Sequence, residues 1–537
     1  MTRLDDRGDR TLVKLRNQMH RSMLAWFVLC ASLSVALRLP FMTVPLGTDE
    51  GGYAFVARAW ASTHGSMYGA FWLDRSPLLV LLYRLGILGG DIGVRLLGMV
   101  AAILLVVGAM VIAHRIAGAR AARIAGLITA FMTSTVVLGG VFTNNELLAT
   151  VPVTFSIVAL VIARDSDRPR LLLFTAGLAA SCAFLIKQSF ADALAAGAVF
   201  LLVSWVIRGR SGFRASWAIA WAAGALAPLV ATLAWIDLYS VGIKHFVYAI
   251  IGFRADSLAT LQLSPRTSTY MLVHTGLPIA IASGCLLLLP WAASWLVGRR
   301  TDPQLVLPLA AWLIVGVVGI TGGGNYFPHY FIQPVAALAV LTGCALSVSS
   351  RRWLVMATAG TLVVLAIVNV AAGTALKRVD PPQQRTLAVS EFLRANSRPG
   401  DSLYVLYARA NLLYYADLRV PYPYSWSQMV RTLPDAETQL RTLLRSPTLR
   451  PTWLVEWQQP TEFGLDRTGE TRRLIASGYV PARQICGKRI LIRKDLASRP
   501  LKATNTGPCA RLDLPQKLVD FPRGPESRSD SADYIWP

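Results

Sequence analysis

The sequence predicts an all-α polytopic membrane bundle of about 11 transmembrane helices, followed by a small α/β extracytoplasmic C-terminal domain. Three observations predict this fold class. Hydrophobic residues make up 54% of the 537 residues and charged residues only 15%, whereas an average soluble domain carries about 25% charged residues. Apolar runs of about 20 residues recur along the first two thirds of the chain. Basic residues cluster in alternate loops between these runs.

The apolar runs place the predicted spans. They lie near residues 22–40, 92–113, 121–141, 146–163, 171–187, 190–207, 215–239, 272–297, 304–320, 331–349 and 353–375. The apolar segment 77–89 is shorter than a bilayer-crossing helix requires. We therefore expect it to lie in the interface or to re-enter the membrane.

The arginines predict the orientation. The N-terminal segment 1–21 is basic, and alternate loops then carry arginine, at Arg115, Arg164, Arg208, Arg299 and Arg351 among others. The opposite short loops, GGVFTNNE and TGGGNYFPHY, contain no lysine or arginine. The positive-inside rule therefore places residues 1–21 in the cytoplasm, and the first outer loop 41–91 and the C-terminus outside it. The protein is expected in the cell membrane.

The composition changes near residue 377, so that a transmembrane domain is predicted for 22–376 and a soluble α/β domain for 377–505. Residues 383–396 have helical spacing, and DSLYVLYAR, PTWLVEWQ and CGKRILIRK have the pattern of strands. Residues 506–537 are predicted to form a poorly ordered tail. Cys486 and Cys509 could pair if this region is extracytoplasmic, although distance in sequence does not show proximity.

The net charge of +23 could suggest nucleic acid as a partner. However, many basic residues sit in short loops, where membrane topology accounts for them. No basic groove interleaved with base-stacking aromatic residues is present in the sequence. A lipid bilayer, and no nucleic acid, is therefore the predicted partner.

The unusual polar residues fall on the predicted outer face. They are Asp49, Glu50, Asp74, Arg75, Asn145, Glu146, Lys187, Arg254, His329 and Tyr330. Each has a simpler explanation on its own: a solvated loop carboxylate, a helix cap, a lysine that reaches the interface, or an aromatic belt. Acid, base and cations nevertheless share one face beside an amphipathic loop, and this combination indicates a functional site.

The chemistry of such a site follows from its charges. A carboxylate at the membrane boundary can take a proton from an incoming hydroxyl or amine. Nearby cations can hold a phosphate and stabilise the charge that develops as it leaves. An interfacial amphipathic segment can shape a groove for a lipid tail. Together these groups predict transfer from a lipid-phosphate donor to an extracytoplasmic acceptor.

Four motifs in order, GTDEGGYAFVARAW, DRSPLLVLLY, FTNNELLATVP and NYFPHYFIQPVAAL, resemble those of the GT-C membrane glycosyltransferases. The protein O-mannosyltransferase-like and lipid A aminoarabinose transferase-like group is most similar. The resemblance covers residues 22–375 and implies a polyprenyl-phosphate sugar donor and transfer outside the cytoplasm, usually with inversion. Some relatives use a divalent cation and others do not, so the metal requirement stays open.

The resemblance also implies roles for particular residues. Asp49 matches the position of the catalytic carboxylate, with Glu50 as its neighbour. Arg75 stands where relatives often carry a lysine that contacts the donor phosphate, and Lys187 or Arg254 would help to neutralise that phosphate. Glu146, beside Asn145, matches an Asn-or-Thr-then-Glu turn, and His329 and Tyr330 match an aromatic-His-Tyr turn near the donor site.

Two other classes of function stay open at this point. A membrane transporter or lipid-linked sugar flippase would place ionisable groups near the middle of the membrane. A non-catalytic envelope assembly protein would tolerate replacement of both Asp49 and Arg75. The sugar, the prenyl chain, the acceptor (protein, lipid or cell-envelope glycan) and the oligomeric state cannot be read from the sequence.

Overall fold

A computed structural model describes residues 5–62, 67–260, 269–298, 302–322, 326–379, 381–407 and 409–503. The predicted tail 506–537 and Cys509 lie outside the described residues. Cys486 is disulfide-bonded, whereas Cys30, Cys182, Cys285 and Cys344 are free thiols. The pairing of Cys486 with Cys509 stays a prediction.

The described chain is mostly helical. Helices α1 to α8 span Asp5–Arg38, Thr48–Ser62, Pro77–Gly86, Gly90–Met132, Asn145–Arg164, Pro169–Ile186, Asp192–Gly212 and Ala215–Tyr239. Helices α9 to α15 span Ile243–Val247, Phe253–Thr260, Leu277–Ala282, Cys285–Val297, Pro303–Thr321, Val335–Val348 and Arg352–Val379. π-helical turns form Tyr248–Gly252 and Leu272–Gly276, and 3₁₀ turns form Leu39–Phe41, Ile87–Gly89 and Pro328–Ile332.

Most predicted spans lie on helices, although not every helix spans alone; the predicted span 121–141 is helical only as far as Met132. Within the described residues, eight helical segments are long and apolar enough to cross a membrane, or nine if the bent pair Thr269–Ala282 and Cys285–Val297 is one span. Two predicted spans, 92–113 and 121–141, share helix α4, which departs from helical geometry at Ala117 and Gly118. The predicted span 190–207 corresponds to the shorter apolar helix Asp192–Ile207. The membrane-bundle prediction is thereby confirmed.

Packing separates inner helices from outer ones. The Val335–Val348 helix α14 is almost wholly buried and packs against α4, while α6 packs between α5 and α8. Helix α15 lies at the periphery and leaves large apolar side chains uncovered, at Val363, Val364, Ile367 and Val368. Because a helix satisfies its own backbone hydrogen bonds, such an apolar surface is stable against lipid.

The C-terminal domain is small and mixed. Its helices α16 to α20 span Pro381–Asn396, Ala410–Ala416, Ser427–Thr432, Ala436–Arg445 and Glu470–Gly478, and its strands β1 to β4 span Leu403–Val405, Trp453–Glu456, Tyr479–Ile485 and Lys488–Arg493. The sheet order is β1-β2-β4-β3. Strands β1 and β2 are parallel, and the other two pairings are antiparallel. The predicted α/β domain is confirmed.

The domain sits on the end of the bundle that carries the first loop. Helix α17 packs against α2, and α18 packs against α10. Asn411 donates from Nδ2 to the Leu46 carbonyl at 3.0 Å, and the Trp72 amide donates to the Pro423 carbonyl at 3.2 Å. The described part of the C-terminal domain therefore contacts the loops that carry Asp49 and Asp74.

Candidate functional site

The site forms where several helices begin or end at the same side of the bundle. Helix α2 begins at Thr48, so Asp49 lies in its first turn. Asn144 caps α5 by accepting from the Leu147 amide at 2.8 Å, which places Asn145 and Glu146 in the first turn of that helix. Helix α6 ends at Ile186 with Lys187 as its cap. The sequence signals for helix ends therefore bring these polar residues together.

Glu50 is buried and fully engaged. Its Oε1 accepts from Arg95 Nη1 at 2.6 Å and from the Thr143 amide at 2.6 Å. Its Oε2 accepts from the Gly47 amide at 2.9 Å. Arg95 Nη2 also reaches the carbonyls of Val44 and Pro45, at 3.2 Å and 3.1 Å. Glu50 thus ties the first loop to α4 and to the loop before α5.

Asp49 has a different setting from its neighbour. It is only partly buried, and its Oδ1 accepts from Trp426 Nε1 of the C-terminal domain at 3.0 Å. The Trp426 ring packs on Tyr53 with the centroids 5.6 Å apart. Among the described residues, no other hydrogen bond to the Asp49 carboxylate is present. This carboxylate therefore has lone pairs left to accept further hydrogen bonds.

Asp74 holds two arginines. Its Oδ2 lies 2.6 Å from Arg75 Nη1 and also forms an ion pair with Arg254. The backbone around it is fixed as well, because Gln188 Nε2 donates to the Asp74 carbonyl at 2.7 Å and Tyr68 donates its hydroxyl to the Arg75 carbonyl at 2.8 Å. Arg254 is the accessible member, with 39% of its side chain exposed.

The charges of this group are stabilised in pairs. Burial alone would raise the pKa of Asp74, but the charges of Arg254 and Arg75 outweigh burial and hold the pKa below its ordinary value. Burial alone would lower the pKa of Arg75, but Asp74 raises it above its ordinary value. Both groups are therefore ionised at neutral pH. Arg75 Nε is buried and has no hydrogen-bond partner among the described residues.

A second group forms around Glu146. Its carboxylate forms an ion pair with Lys187, and His329 Nε2 lies 3.7 Å from Glu146 Oε1. Lys187 Nζ lies 3.9 Å from the centre of the Tyr330 ring, and Phe327 stacks on His329 with the ring centroids 5.7 Å apart. The aromatic-His-Tyr turn therefore covers the buried lysine and its carboxylate.

The groups form one site. Asn145 Nδ2 donates to the Tyr53 hydroxyl at 2.9 Å, which links α5 to the helix that carries Asp49. The Tyr330 hydroxyl is close enough to four charged residues of the site to feel their charges. These are Arg254, Glu146, Arg75 and Asp49. All ten residues predicted from the sequence thus lie at this end of the bundle. Their catalytic and binding roles stay predictions.

Two adjacent glycines allow the C-terminal domain to reach this site. A Cβ added at Gly51 would lie 2.4 Å from Asn411 Cβ and 2.8 Å from Asn411 Cα. A Cβ added at Gly52 would lie 2.4 Å from the Trp426 ring. The glycines of the GTDEGGYAF motif are therefore explained by close approach of another domain.

Sequence reasoning missed two residues that organise the site. Arg95 stands alone within an apolar run, and a charge in such a place is itself a signal of a buried partner. Trp426 lies 377 residues from Asp49, and no local pattern singles it out. Arg95 could have been found from the sequence, whereas Trp426 required the fold.

The metal requirement stays open. No group of three or more His, Cys, Asp or Glu side chains that could hold a metal occurs in the part of the chain that the structure describes. The carboxylates of Asp74 and Glu146 are each paired with basic side chains. We therefore derive no step through a metal.

Known proteins resemble this chain in sequence and in fold. The sequence model of the dolichyl-phosphate-mannose-protein mannosyltransferase family matches residues 74–235. No curated protein sequence matches significantly. The chain is similar to ArnT from Cupriavidus metallidurans in the apo state, with a TM-score of 0.64, 16% identity, and coverage of 88% of this chain and 98% of that one.

Two further structures extend the comparison. ArnT from Cupriavidus metallidurans bound to undecaprenyl phosphate matches with a TM-score of 0.61, 17% identity, and coverage of 89% and 99%. The Archaeoglobus fulgidus oligosaccharyltransferase tethered to an acceptor peptide matches with a TM-score of 0.50, 14% identity, and coverage of 86% and 72%. The predicted resemblance to the GT-C membrane glycosyltransferases is confirmed at the level of the fold.

Proposed function

We propose that this protein transfers a sugar from a polyprenyl-phosphate donor to an extracytoplasmic acceptor. One observation carries the proposal: the partly exposed Asp49 carboxylate lies within the same site as the cations Arg75, Lys187 and Arg254. A general base beside phosphate-binding cations is the arrangement that glycosyl transfer from a lipid phosphate requires. The similarity to a structure that contains undecaprenyl phosphate supports the same class of donor.

The proposed reaction is a single displacement. Asp49 takes the proton of an acceptor hydroxyl, and the hydroxyl oxygen forms a bond to the anomeric carbon of the sugar. The bond between that carbon and the phosphate oxygen breaks, and polyprenyl phosphate leaves with the electron pair. Attack on the face opposite the leaving group inverts the anomeric configuration.

The cations act on the leaving phosphate. Arg75 carries a buried Nε without a hydrogen-bond partner in the described part of the chain, and Arg254 is the most accessible of the three cations. Lys187 lies deeper, between Glu146 and the Tyr330 ring. Charges fixed in a poorly hydrated site stabilise a developing phosphate charge without reorganising. His329 and Tyr330 would line the sugar and phosphate region beside them.

The donor class can be tested with purified protein in lipid vesicles. The vesicles receive either a radiolabelled polyprenyl-phosphate sugar or the matching nucleotide sugar, together with an envelope extract as the source of acceptor. We expect consumption of the lipid-linked donor only, with release of polyprenyl phosphate and labelling of the extract. Consumption of the nucleotide sugar alone would contradict the proposed donor class. Analysis of the labelled product by mass spectrometry would identify the acceptor.

The proposed function also needs the site to face away from the cytoplasm. The loop arginines support this orientation, and so does the disulfide at Cys486, because disulfides persist mainly outside the cytoplasm. The test is labelling by a membrane-impermeant maleimide in a Cys182→Ser background, with Ser477→Cys in the C-terminal domain and Ser350→Cys in the loop between α14 and α15. Labelling of residue 477 and protection of residue 350 in intact cells is expected. The reverse pattern would refute the orientation.

A further inference from the structure

A short segment of the C-terminal domain, Tyr422–Gln428, forms hydrogen bonds with three separate parts of the membrane domain. The Pro423 carbonyl accepts from the Trp72 amide at 3.2 Å. Gln428 Nε2 donates to the Ser257 hydroxyl at 2.7 Å. Trp426 Nε1 donates to Asp49 Oδ1 at 3.0 Å. This segment therefore connects the C-terminal domain to the first loop, to α10 and to the carboxylate at the centre of the proposed chemistry.

The Trp426 ring is held in one place by its surroundings. It packs on Tyr53 at a centroid distance of 5.6 Å with the planes 35° apart. The ring also packs against Gly52, and it fits there because glycine has no Cβ. Tyr53 is itself fixed, because its hydroxyl accepts from Asn145. The ring N–H consequently points at Asp49 in a defined direction.

The Asp49 carboxylate depends on this one donor. Glu50 next to it has three donors, Arg95 and two backbone amides. Asp49 has Trp426 alone among the described residues. An aspartate side chain with a single partner is oriented by that partner, and general-base catalysis requires the base to be within hydrogen-bond reach of the proton.

We propose that Trp426 is a positioning residue, through which the C-terminal domain orients the Asp49 carboxylate and leaves its Oδ2 directed at the acceptor hydroxyl. This inference rests on the proposed function, because it assumes that Asp49 is the base. It assigns the C-terminal domain a part in catalysis besides any part in acceptor recognition. Residues 377 positions apart thereby form one catalytic unit.

Two substitutions separate the hydrogen bond from the packing. Trp426→Phe keeps aromatic bulk but removes the ring N–H. Trp426→His loses the six-membered ring but places Nε2 at the position in the five-membered ring that Nε1 occupies in tryptophan. The assay runs at pH 8, above the ordinary imidazole pKa of about 6.5, because this favours the neutral ring. A pure packing role would make the phenylalanine variant the better enzyme, whereas a positioning role would favour the histidine variant.

The experiment measures kcat and the donor KM for the full-length protein in vesicles, with rates divided by the amount of monodisperse protein. For Trp426→Phe we expect kcat to fall about tenfold, which corresponds to about 1.4 kcal/mol of transition-state stabilisation, with KM for the donor unchanged. Trp426→His should recover most of this loss. Trp453→Phe is the control, because Trp453 is buried in the same domain and its Nε1 has no hydrogen-bond partner among the described residues.

The outcomes distinguish this inference from the proposed function. Normal kcat in Trp426→Phe, or a histidine variant no better than the phenylalanine variant, would overturn the positioning role. If Asp49→Asn is inactive in the same assay, the proposed function stands despite that result. If Asp49→Asn is active, the base itself is wrong. Should Trp426→Phe fail to fold, Trp426→Leu takes its place, because it also lacks a ring N–H.

Discussion

Glu50 and Arg95 form an ion pair in which Arg95 Nη1 lies 2.6 Å from Glu50 Oε1, and both side chains are only 1% exposed. The neighbouring Asp49 instead reaches across to Trp426. Two adjacent carboxylates of one helical turn therefore meet different partners. We infer that Glu50 holds the first loop in place and that Asp49 carries the chemistry.

The first prediction follows from this difference. Glu50→Gln keeps the shape of the side chain but leaves the buried Arg95 without a counter-charge. Breaking a buried pair in this way costs about 3–5 kcal/mol of stability. We therefore expect a lower melting temperature for the purified variant in detergent, with a smaller loss of kcat per folded molecule than Asp49→Asn shows.

The control for this prediction is Glu470→Gln. Glu470 pairs with Arg445 and Arg441, but 31% of its side chain is exposed. Exposed pairs contribute about 1 kcal/mol or less, so this variant should melt near the wild type. Equal melting temperatures for the Glu50 and Glu470 variants would show that the buried pair has no special structural part.

A second prediction concerns the docking of the C-terminal domain. Gly51→Ala places a methyl group 2.4 Å from Asn411 Cβ and 2.8 Å from its backbone Cα, and a backbone atom cannot rotate away. Alanine favours helices by about 1 kcal/mol over glycine, so propensity alone would stabilise the variant. We expect destabilisation by about 1–3 kcal/mol instead, together with faster proteolysis between the two domains.

Gly89→Ala is the matched control, because nothing lies within 4 Å of the added methyl group. It should change stability by less than about 0.5 kcal/mol. A Gly51 variant that is as stable and as protease-resistant as the Gly89 variant would contradict the close contact between α2 and α17.

A third prediction concerns pH. The pKa of Asp74 is lowered, with the charges of Arg254 and Arg75 outweighing burial, so its charge contributes stability that is complete above the ordinary value of about 3.9. This contribution is lost as the pH falls through the lower folded value. Arg254→Met removes one of the two cations and should lower the melting temperature at pH 7. The difference from the wild type should shrink as the pH falls below about 3.9.

Arg254→Lys keeps the charge and serves as the control for the pH series. It should lie closer to the wild type than Arg254→Met at pH 7. A gap between wild type and Arg254→Met that stays constant down to pH 3 would show that Arg254 acts through packing rather than through the Asp74 charge.

Much of the fold could be predicted because a membrane span is a local property of the sequence. Apolar length alone located the helices, and helix-end signals such as Asn144 placed Glu146 at the correct end of α5. The residues of the site share that end for the same reason. Strand β3 was not predicted, because Tyr479–Ile485 lies at the edge of the sheet, is largely exposed, and carries Pro481 at an irregularity in its register.

Contacts between distant parts of the chain could not be predicted. The pairing of Glu50 with Arg95 and the hydrogen bond from Trp426 to Asp49 depend on how the helices and the C-terminal domain pack. Neither has a spacing that a single sequence displays. The glycines at 51 and 52 stood within a motif, but their reason became visible only with Asn411 and Trp426 against them.

The most direct test of the account is the rate of sugar transfer by Asp49→Asn, with the lipid-linked donor and purified protein in vesicles. Asp417→Asn is the control, since Asp417 is exposed, has a positive φ of 55° that asparagine tolerates, and pairs only loosely with Arg58. Loss of a general base lowers rates by about 10²–10⁴-fold, so we expect a loss of this size for Asp49→Asn and none for Asp417→Asn. Wild-type transfer by a folded Asp49→Asn protein would contradict the proposed mechanism.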